Sequence, residues 1–233
     1  MSDQHRADLA GTIQEIQSRY DGISPWYDFL TGFGEGRVRR IGLELLGAVH
    51  GETILEIGCG TGQALVPLAR SIGERGWVYG IDLSSGMIAR AQTRLARQGL
   101  SSQVSLLIGD GRTLPFSSNR FDAIWTSFTL ELLSLNGINQ ILSECRRVLI
   151  PGGRLGVVAL ARRAKSNAMI AFYDWLHEKF PQWIDCRPIF LQQLLLQADF
   201  SLEAVEGLSL WGLPVEIVLV KNQKTSGSSA DSS

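Results

Sequence analysis

The sequence predicts an α/β fold: a mostly parallel sheet, seven strands in all, closed by an antiparallel C-terminal hairpin. Three observations carry this. Short apolar runs ending in glycine or aspartate alternate with segments of helical period between residues 53 and 160, a pattern that demands right-handed crossovers and parallel strands. The run Thr53-Ile54-Leu55-Glu56-Ile57 passes straight into Gly58-Cys59-Gly60-Thr61-Gly62, as expected at the ligand-binding end of an open α/β sheet. Finally, the strand-like segments 202–210 and 214–220 are separated only by Trp211-Gly212-Leu213. That link is too short for a crossover, so the two must pair antiparallel.

Each element has its own local reason. Ile54, Leu55 and Ile57 form the continuous apolar run of a strand buried on both faces. A helix follows over about 63–71. Residues 77–81 make the second strand, ending at Asp82. Ser84 then caps a helix whose Met87, Ile88, Ala91 and Leu95 share one face, and Gly99 ends it. Strands are expected over 103–108 and 121–126. Ile138, Ile141, Leu142, Cys145, Val148 and Leu149 form the stripe of the next helix, which Pro151-Gly152-Gly153 breaks before a fifth strand at 154–160. Segments 167–180 and 188–198 look helical, the second with Pro188 at its first position. Residues 1–222 are read as one domain, and the polar, low-complexity stretch 223–233 as a disordered tail.

Composition narrows the function. The chain has 233 residues, 45% hydrophobic and 19% charged, with a net charge of −1, so one full core is expected and no broad basic field for nucleic acid. No apolar run reaches the ~18–20 residues that span a bilayer. The N-terminus carries acids and no apolar h-region, which reads as cytoplasmic and not secreted. Cys59, Cys145 and Cys186 are widely spaced, and there are three histidines. This argues for reduced thiols and against a metal centre. Arg37, Arg39, Arg40 and Arg162, Arg163, Lys165 are read as solvated surface, with weak peripheral contact to anionic lipid as the alternative.

The glycine turn lets the backbone approach a ligand closely. Glu56, inside the strand, needs a partner, either a ligand cation or turn N–H groups. A dinucleotide fingerprint would place glycine where Gln63 stands. Asp82, 20 residues after Gly62, ends the second strand where a carboxylate can grip both ribose hydroxyls; helix capping is its alternative role. Asp110, between Gly109 and Gly111 at the end of the third strand, can accept from an adenine amine, or simply form an Asp-Gly turn.

Taken together, these motifs carry a resemblance. E-x-G-x-G-x-G at 56–62, the acid at 82, Gly109-Asp110, Leu114-Pro115-Phe116, Phe121-Asp122 and Arg147-Val148-Leu149-Ile150-Pro151-Gly152-Gly153 are similar, in order and spacing, to the class I S-adenosyl-L-methionine (SAM) dependent methyltransferases, whose fold is Rossmann-like. The nearest subgroup resembles the menaquinone/ubiquinone-type C-methyltransferases (methyltransferase type 11), over roughly 20–220. The quinone enzymes usually carry Gly-Leu-Arg-Asn after the fourth strand; this chain has Ser127-Phe128-Thr129-Leu130-Glu131-Leu132. The resemblance implies SAM as cofactor, held by Glu56, Gly58, Gly60, Thr61, Gly62, Asp82, Asp110, Gly111, Ser127 and Phe128. It also implies an N-terminal helical lid, about 1–50, in which Tyr20, Trp26 and Tyr27 cover the site.

On this reading the acceptor is a small apolar or amphipathic molecule: quinol-, lipid- or metabolite-like. Glu131 and His177 are the leading candidates to handle its proton, with Tyr27, Asp28 and Asp185 behind them. Two rivals stay open at this point. A nicotinamide-dependent oxidoreductase would share Asp82 but not Gln63 or the hairpin. A non-catalytic SAM-binding protein would share every cofactor motif. Neither the methylated atom nor the oligomeric state follows from the sequence.

Overall fold

A computed structural model describes residues 35–162, 188–210 and 212–224. The proposed lid residues Tyr20, Trp26, Tyr27 and Asp28, the helix expected at 167–180 with His177, and Asp185 and Cys186 lie outside the described residues. Helix α1 is described from 35 to 46. It is followed by β1 (Thr53–Ile57), α2 (Leu65–Ile72), β2 (Trp77–Asp82), α3 (Ser85–Arg97), β3 (Val104–Ile108) and β4 (Phe121–Ser127). A 3₁₀ turn (Leu130–Leu132) leads to α4 (Leu135–Val148), β5 (Leu149–Leu160), α5 (Leu191–Gln197), β6 (Phe200–Leu210) and β7 (Leu213–Asn222).

The strand order is β3-β2-β1-β4-β5-β7-β6. Strands β1 to β5 pair in parallel, and β7 pairs antiparallel with both β5 and β6. A plain doubly wound sheet would place a parallel sixth strand next to β5; here the hairpin inserts β7 there, as its short link requires.

Both sheet faces are covered. Helices α4 and α5 pack on one face through Ile141, Cys145 and Leu195, while α1, α2 and α3 cover the other through Val38, Leu68 and Leu95. Ile54, Leu55 and Ile57 are all buried, which is why β1 reads as an unbroken apolar run. Helix α1 lies especially close to the sheet: a Cβ on Gly42 would collide with the Trp125 ring and come within 3.2 Å of Ile217.

Boundaries moved where side chains or bridges compete with the helix. Helix α2 begins at Leu65, two residues late, with Ala64 at its N-cap and no side-chain cap bond. Helix α4 stops at Val148, and the chain is already extended at Leu149, because Leu149 pairs with Phe121 of β4 and Ile150, which precedes Pro151, is disfavoured in helix. The expectation that Pro188 opens a helix is incorrect. Ile189 bridges Ala161 in parallel, its N–H donating to Leu160 O at 3.0 Å, and the helix starts only at Leu191. Lys224, assigned to the tail by composition, is anchored through Nζ to Arg147 O (2.9 Å) and Asn119 Oδ1 (3.1 Å).

Candidate active site

The three glycines after β1 do three different things. Gly58 (φ +70°) has no room for a Cβ, which would collide with the Thr129 side chain. Gly62 (φ +76°) presses against α3, where its Cβ would sit 3.0 Å from Ala91 Cβ. Gly60 (φ +49°) faces open space, with nothing within 4 Å of where a Cβ would stand. Its N–H donates to Asp82 Oδ2 at 2.8 Å, and Ser84 N–H donates to Oδ1 at 2.9 Å. Asp82 therefore fixes the loop as well as the start of α3. Ser84 caps α3 as expected, accepting from Met87 N–H at 3.1 Å.

Gly60 opens onto a cleft at the carboxyl ends of β1 to β4, with about 850 Å³ of empty space partly shared with solvent. Of the residues singled out from sequence, Gly58, Gly60, Asp82, Asp110, Gly111, Ser127 and Phe128 line it; Glu56, Thr61, Gly62 and Glu131 do not. Thr61 is buried beneath the loop, its carbonyl accepting from Arg94 Nε at 2.8 Å. Asp110 is held by Arg112 through a bidentate pair with bonds of 2.7–3.0 Å, so its outward lone pairs are what a ligand could use. Gly111 is needed for packing: a Cβ there would come 2.7 Å from Ile57 Cγ2. Phe128 adopts the left-handed region at φ +53°. That costs a non-glycine residue on the order of 1–3 kcal/mol and recurs at binding sites.

The apolar lining, Ile57, Met87, Leu132, Leu133 and Ile141, escaped the sequence reading. Met87 and Ile141 fall on helical stripes and were indistinguishable there from ordinary core. A ligand with a flat apolar body and polar edges fits such a wall.

Behind the cleft lie buried acids. Glu56 is 3% exposed and its Oε2 has no partner among the described residues. Burial pushes its carboxyl well above the usual range, with Asp82 adding to the rise and Arg39 opposing it. Glu131, on the 3₁₀ turn, is 2% exposed; Oε1 accepts from Leu160 N–H at 3.2 Å and Oε2 has no partner among the described residues. Burial raises it to about 7, against backbone N–H groups that lower it, and Glu35 raises it further. It lies just after β4, against the end of β5, with Glu35 of α1 close enough to act on it. Cys59 and Cys145 are buried free thiols, both raised by burial.

Other motifs turn out to be scaffolding. Arg147 donates to the carbonyls of Phe116 (2.6 Å) and Leu114 (3.0 Å), and Glu144, paired with Arg147 at 2.7 Å, accepts from Leu114 N–H at 2.7 Å. Phe116 meets Tyr79 and Phe121 edge to face at 5.3 and 4.9 Å. The Leu114-Pro115-Phe116 and Arg147 motifs thus hold the link between β3 and β4 and carry no chemistry.

Known proteins share this arrangement. A methyltransferase-domain family profile matches residues 54–153, from the start of β1 into β5. The 2-phytyl-1,4-naphtoquinone methyltransferase of Trichormus variabilis is 31% identical over 165 residues, covering 69% of this chain and 71% of its own. The demethylmenaquinone methyltransferase of Corynebacterium efficiens is 35% identical over 170 residues, covering 71% of this chain and 66% of its own. Among solved structures, the [4+2]-cyclase SpnF superposes with a TM-score of 0.72 at 21% identity, covering 90% of this chain and 96% of that one, a likeness of fold alone. The cleft at the switch point, the glycine loop and the relatives agree: the chain belongs to the class I SAM-dependent methyltransferases of the menaquinone/ubiquinone C-methyltransferase type, and it is an enzyme that uses SAM.

Proposed function

We propose that the cleft seats SAM with its ribose on Asp82 and its adenine beside Asp110, and that the methyl group passes to a small, apolar or amphipathic acceptor of the quinol type. The carrying observation is the convergence of Gly60, Asp82 and Asp110 on one apolar-walled cleft at the ends of adjacent strands. The quinone methyltransferases among the relatives support the acceptor class. When bound, SAM supplies an electrophilic methyl group on a sulfonium, so this chain's residues bind, orient and exclude water. The acceptor must also lose a proton. Glu131, buried behind the cofactor cleft and raised to about 7, is proposed to take it from the acceptor side, since a base titrating near neutrality is effective once the acceptor reaches it. His177 and the aromatics Tyr20, Trp26 and Tyr27 are proposed to complete the acceptor side.

The test is transfer of labelled methyl from SAM to a panel of hydroquinones, small phenols and lipid amines. Label in a hydroquinone is expected; label only in an amine would overturn the acceptor assignment. Glu131→Gln should slow transfer by about 10²-fold or more with SAM affinity nearly unchanged. Full turnover in that variant would remove Glu131 from the reaction.

A further inference from the structure

Large apolar side chains stand exposed around the mouth of the cleft. Ile108 closes β3 at 60% exposure, Leu135 opens α4 at 66%, and Phe190 precedes α5 at 48%. All three lie at the carboxyl ends of parallel strands, the edge onto which the cleft opens. Ile108 runs directly into Gly109 of the cleft lining, and Leu135 follows Leu132 and Leu133 of that lining. Phe190 is held there by its neighbour Ile189, which bridges Ala161 just past the end of β5. None of the three lines the cleft itself. Strands β3 and β5 are four strand spacings apart, about 19 Å, so these side chains form a rim on either side of the opening.

The exposed charges on this edge have one sign. Arg162 is exposed, with its guanidinium carbon 5.9 Å from the centre of the Phe190 ring. Arg37 is exposed at the start of α1. That helix begins on the carboxyl-end side, where Glu35 acts on Glu131, and finishes on the opposite side, where Leu46 O accepts from Arg154 Nε. The acids of this edge are withdrawn. Glu35, Glu56 and Glu131 are buried, and Asp82 and Asp110 are taken up by the glycine loop and Arg112. Among the described residues the exposed acids stand elsewhere: Glu44 late in α1, Glu74 after α2, Asp199 before β6, and Glu203 and Glu206 on β6. Of the other basic residues singled out from sequence, Arg39 is turned inward, 15% exposed, its Nη1 donating to Gln63 Oε1 at 2.6 Å, and Arg40 lies 4.0 Å from Glu44. Arg163 and Lys165 lie outside the described residues.

Apolar side chains set among arginines match the boundary between acyl chains and anionic headgroups. A second copy of the chain would set the same arginines against each other, which costs affinity. We propose, resting on the reading of the acceptor as apolar or amphipathic, that the carboxyl-end edge of the sheet docks on an anionic lipid bilayer. Ile108, Leu135 and Phe190 enter the headgroup region, Arg37 and Arg162 meet lipid phosphates, and the cleft mouth faces the layer in which such an acceptor dissolves. The contact is peripheral and reversible, since a few side chains and charges give only marginal membrane affinity.

The experiment is co-sedimentation of the full chain with vesicles of equal parts phosphatidylglycerol and phosphatidylcholine, and with phosphatidylcholine alone. Binding to the mixed vesicles is expected, weakened by salt and much weaker on phosphatidylcholine. Arg37→Gln and Arg162→Gln should each lower affinity for the mixed vesicles by about fivefold. Leu135→Ser with Phe190→Ser should lower it by about tenfold or more. If that pair fails to fold, Ile108→Ser with Leu135→Ser is the substitute. Val49→Ser, at an apolar residue 57% exposed on the opposite edge, should change nothing. Transfer of methyl to a long-chain hydroquinone held in the mixed vesicles should fall with binding, while transfer to a short-chain, water-soluble hydroquinone stays unchanged. The proposal is overturned by an unmodified chain that ignores the mixed vesicles, by equal binding to phosphatidylcholine alone, or by an equal loss in V49S. It is also overturned if light scattering shows a dimer that the Leu135 and Phe190 substitutions dissociate, since the face then meets a second copy. Vesicle binding that follows these substitutions without transfer to either hydroquinone would sink the acceptor reading and leave the docking surface standing.

Discussion

At the scale of single residues, spacing alone assigns the three glycines of the loop to one purpose, but their environments separate them. A Cβ at Gly60 enters only the cleft, whereas a Cβ at Gly58 meets Thr129. Gly60→Val should therefore fold with a modest loss, about 1–3 kcal/mol for a branched residue at positive φ, and lose S-adenosylhomocysteine binding. Gly58→Val should lose more stability than Gly60→Val, because it adds the collision to the strain. Denaturation and calorimetry on the pair decide this; cofactor binding at the normal level in Gly60→Val would mean that the ligand does not approach that turn. Glu131 allows a second test, whose sign follows from its raised pKa. An acid raised from 4.5 to about 7 stabilises the fold fully below its unfolded value, and that contribution is lost as pH rises through about 7. Glu131→Gln should accordingly leave stability near pH 4 almost unchanged and increase it above neutrality, by up to roughly 3 kcal/mol. A variant that is less stable than the unmodified chain at alkaline pH would show that the carboxylate is satisfied by a partner. A residue that slows turnover when neutralised yet stabilises the fold is kept for function, not for folding.

At the scale of elements, the clearest case is the clamp between α4 and the link from β3 to β4. Arg147 holds two carbonyls of that link while Glu144 holds a backbone N–H. Arg147→Ala should cost about 2–3 kcal/mol in a denaturant titration, as hydrogen bonds to a charged group contribute roughly 1.5–3 kcal/mol. Arg147 holds the Glu144 carboxyl below the ordinary range, so the clamp persists above the unfolded value and releases only in acid below it. A loss under about 0.5 kcal/mol would make the clamp incidental. The Arg147 motif was legible in the sequence, but its purpose was not: carbonyls 31 and 33 residues away have no sequence signal. The strands were legible because apolar runs, glycines and the two-strand hairpin are local facts. Ser84 and Gly99 were legible for the same reason, each acting within its own turn. Pro188 misled because Ile189 is claimed by Ala161, just past the end of β5, a tertiary bridge that overrides a local helix signal. Arg39 misled because a basic run at helical spacing looks like solvated surface, and only the packing of α1 over Gln63 buries it. The Glu35–Arg39 spacing of four residues was the one available hint.

At the scale of the whole molecule, the cleft belongs to the sheet's reversal point. Strand β1 pairs with β2 on one side and β4 on the other, so the chain leaves β1 toward one edge and returns through β4 toward the other. The cleft lining is correspondingly split: Asp82, Asp110 and Met87 come from the β2–β3 half, and Ser127, Phe128 and Ile141 from the β4 half. A ligand seated there bridges two parts of the sheet whose direct connection is β1 and its glycine loop. Binding should therefore stabilise the entire fold and not a local lid, and it should do so with one cooperative transition. At a concentration of about 100 times its dissociation constant, a ligand specific for the native state contributes about 2.7 kcal/mol. For a chain of this size each kcal/mol raises Tm by roughly 2–4 °C, so S-adenosylhomocysteine should raise Tm by about 5–10 °C. NADH should give no shift, because Gln63 stands where a dinucleotide turn needs a glycine to pack its helix closely on the strand beside the pyrophosphate. Asp82→Ala should abolish the S-adenosylhomocysteine shift and also lower the starting Tm, since its two oxygens hold Gly60 and Ser84 in the absence of ligand. Equal shifts from NADH and S-adenosylhomocysteine would mean that the cleft reads only adenosine. A full shift retained in Asp82→Ala would place the ribose elsewhere and leave Asp82 as a purely structural tie between the loop and α3.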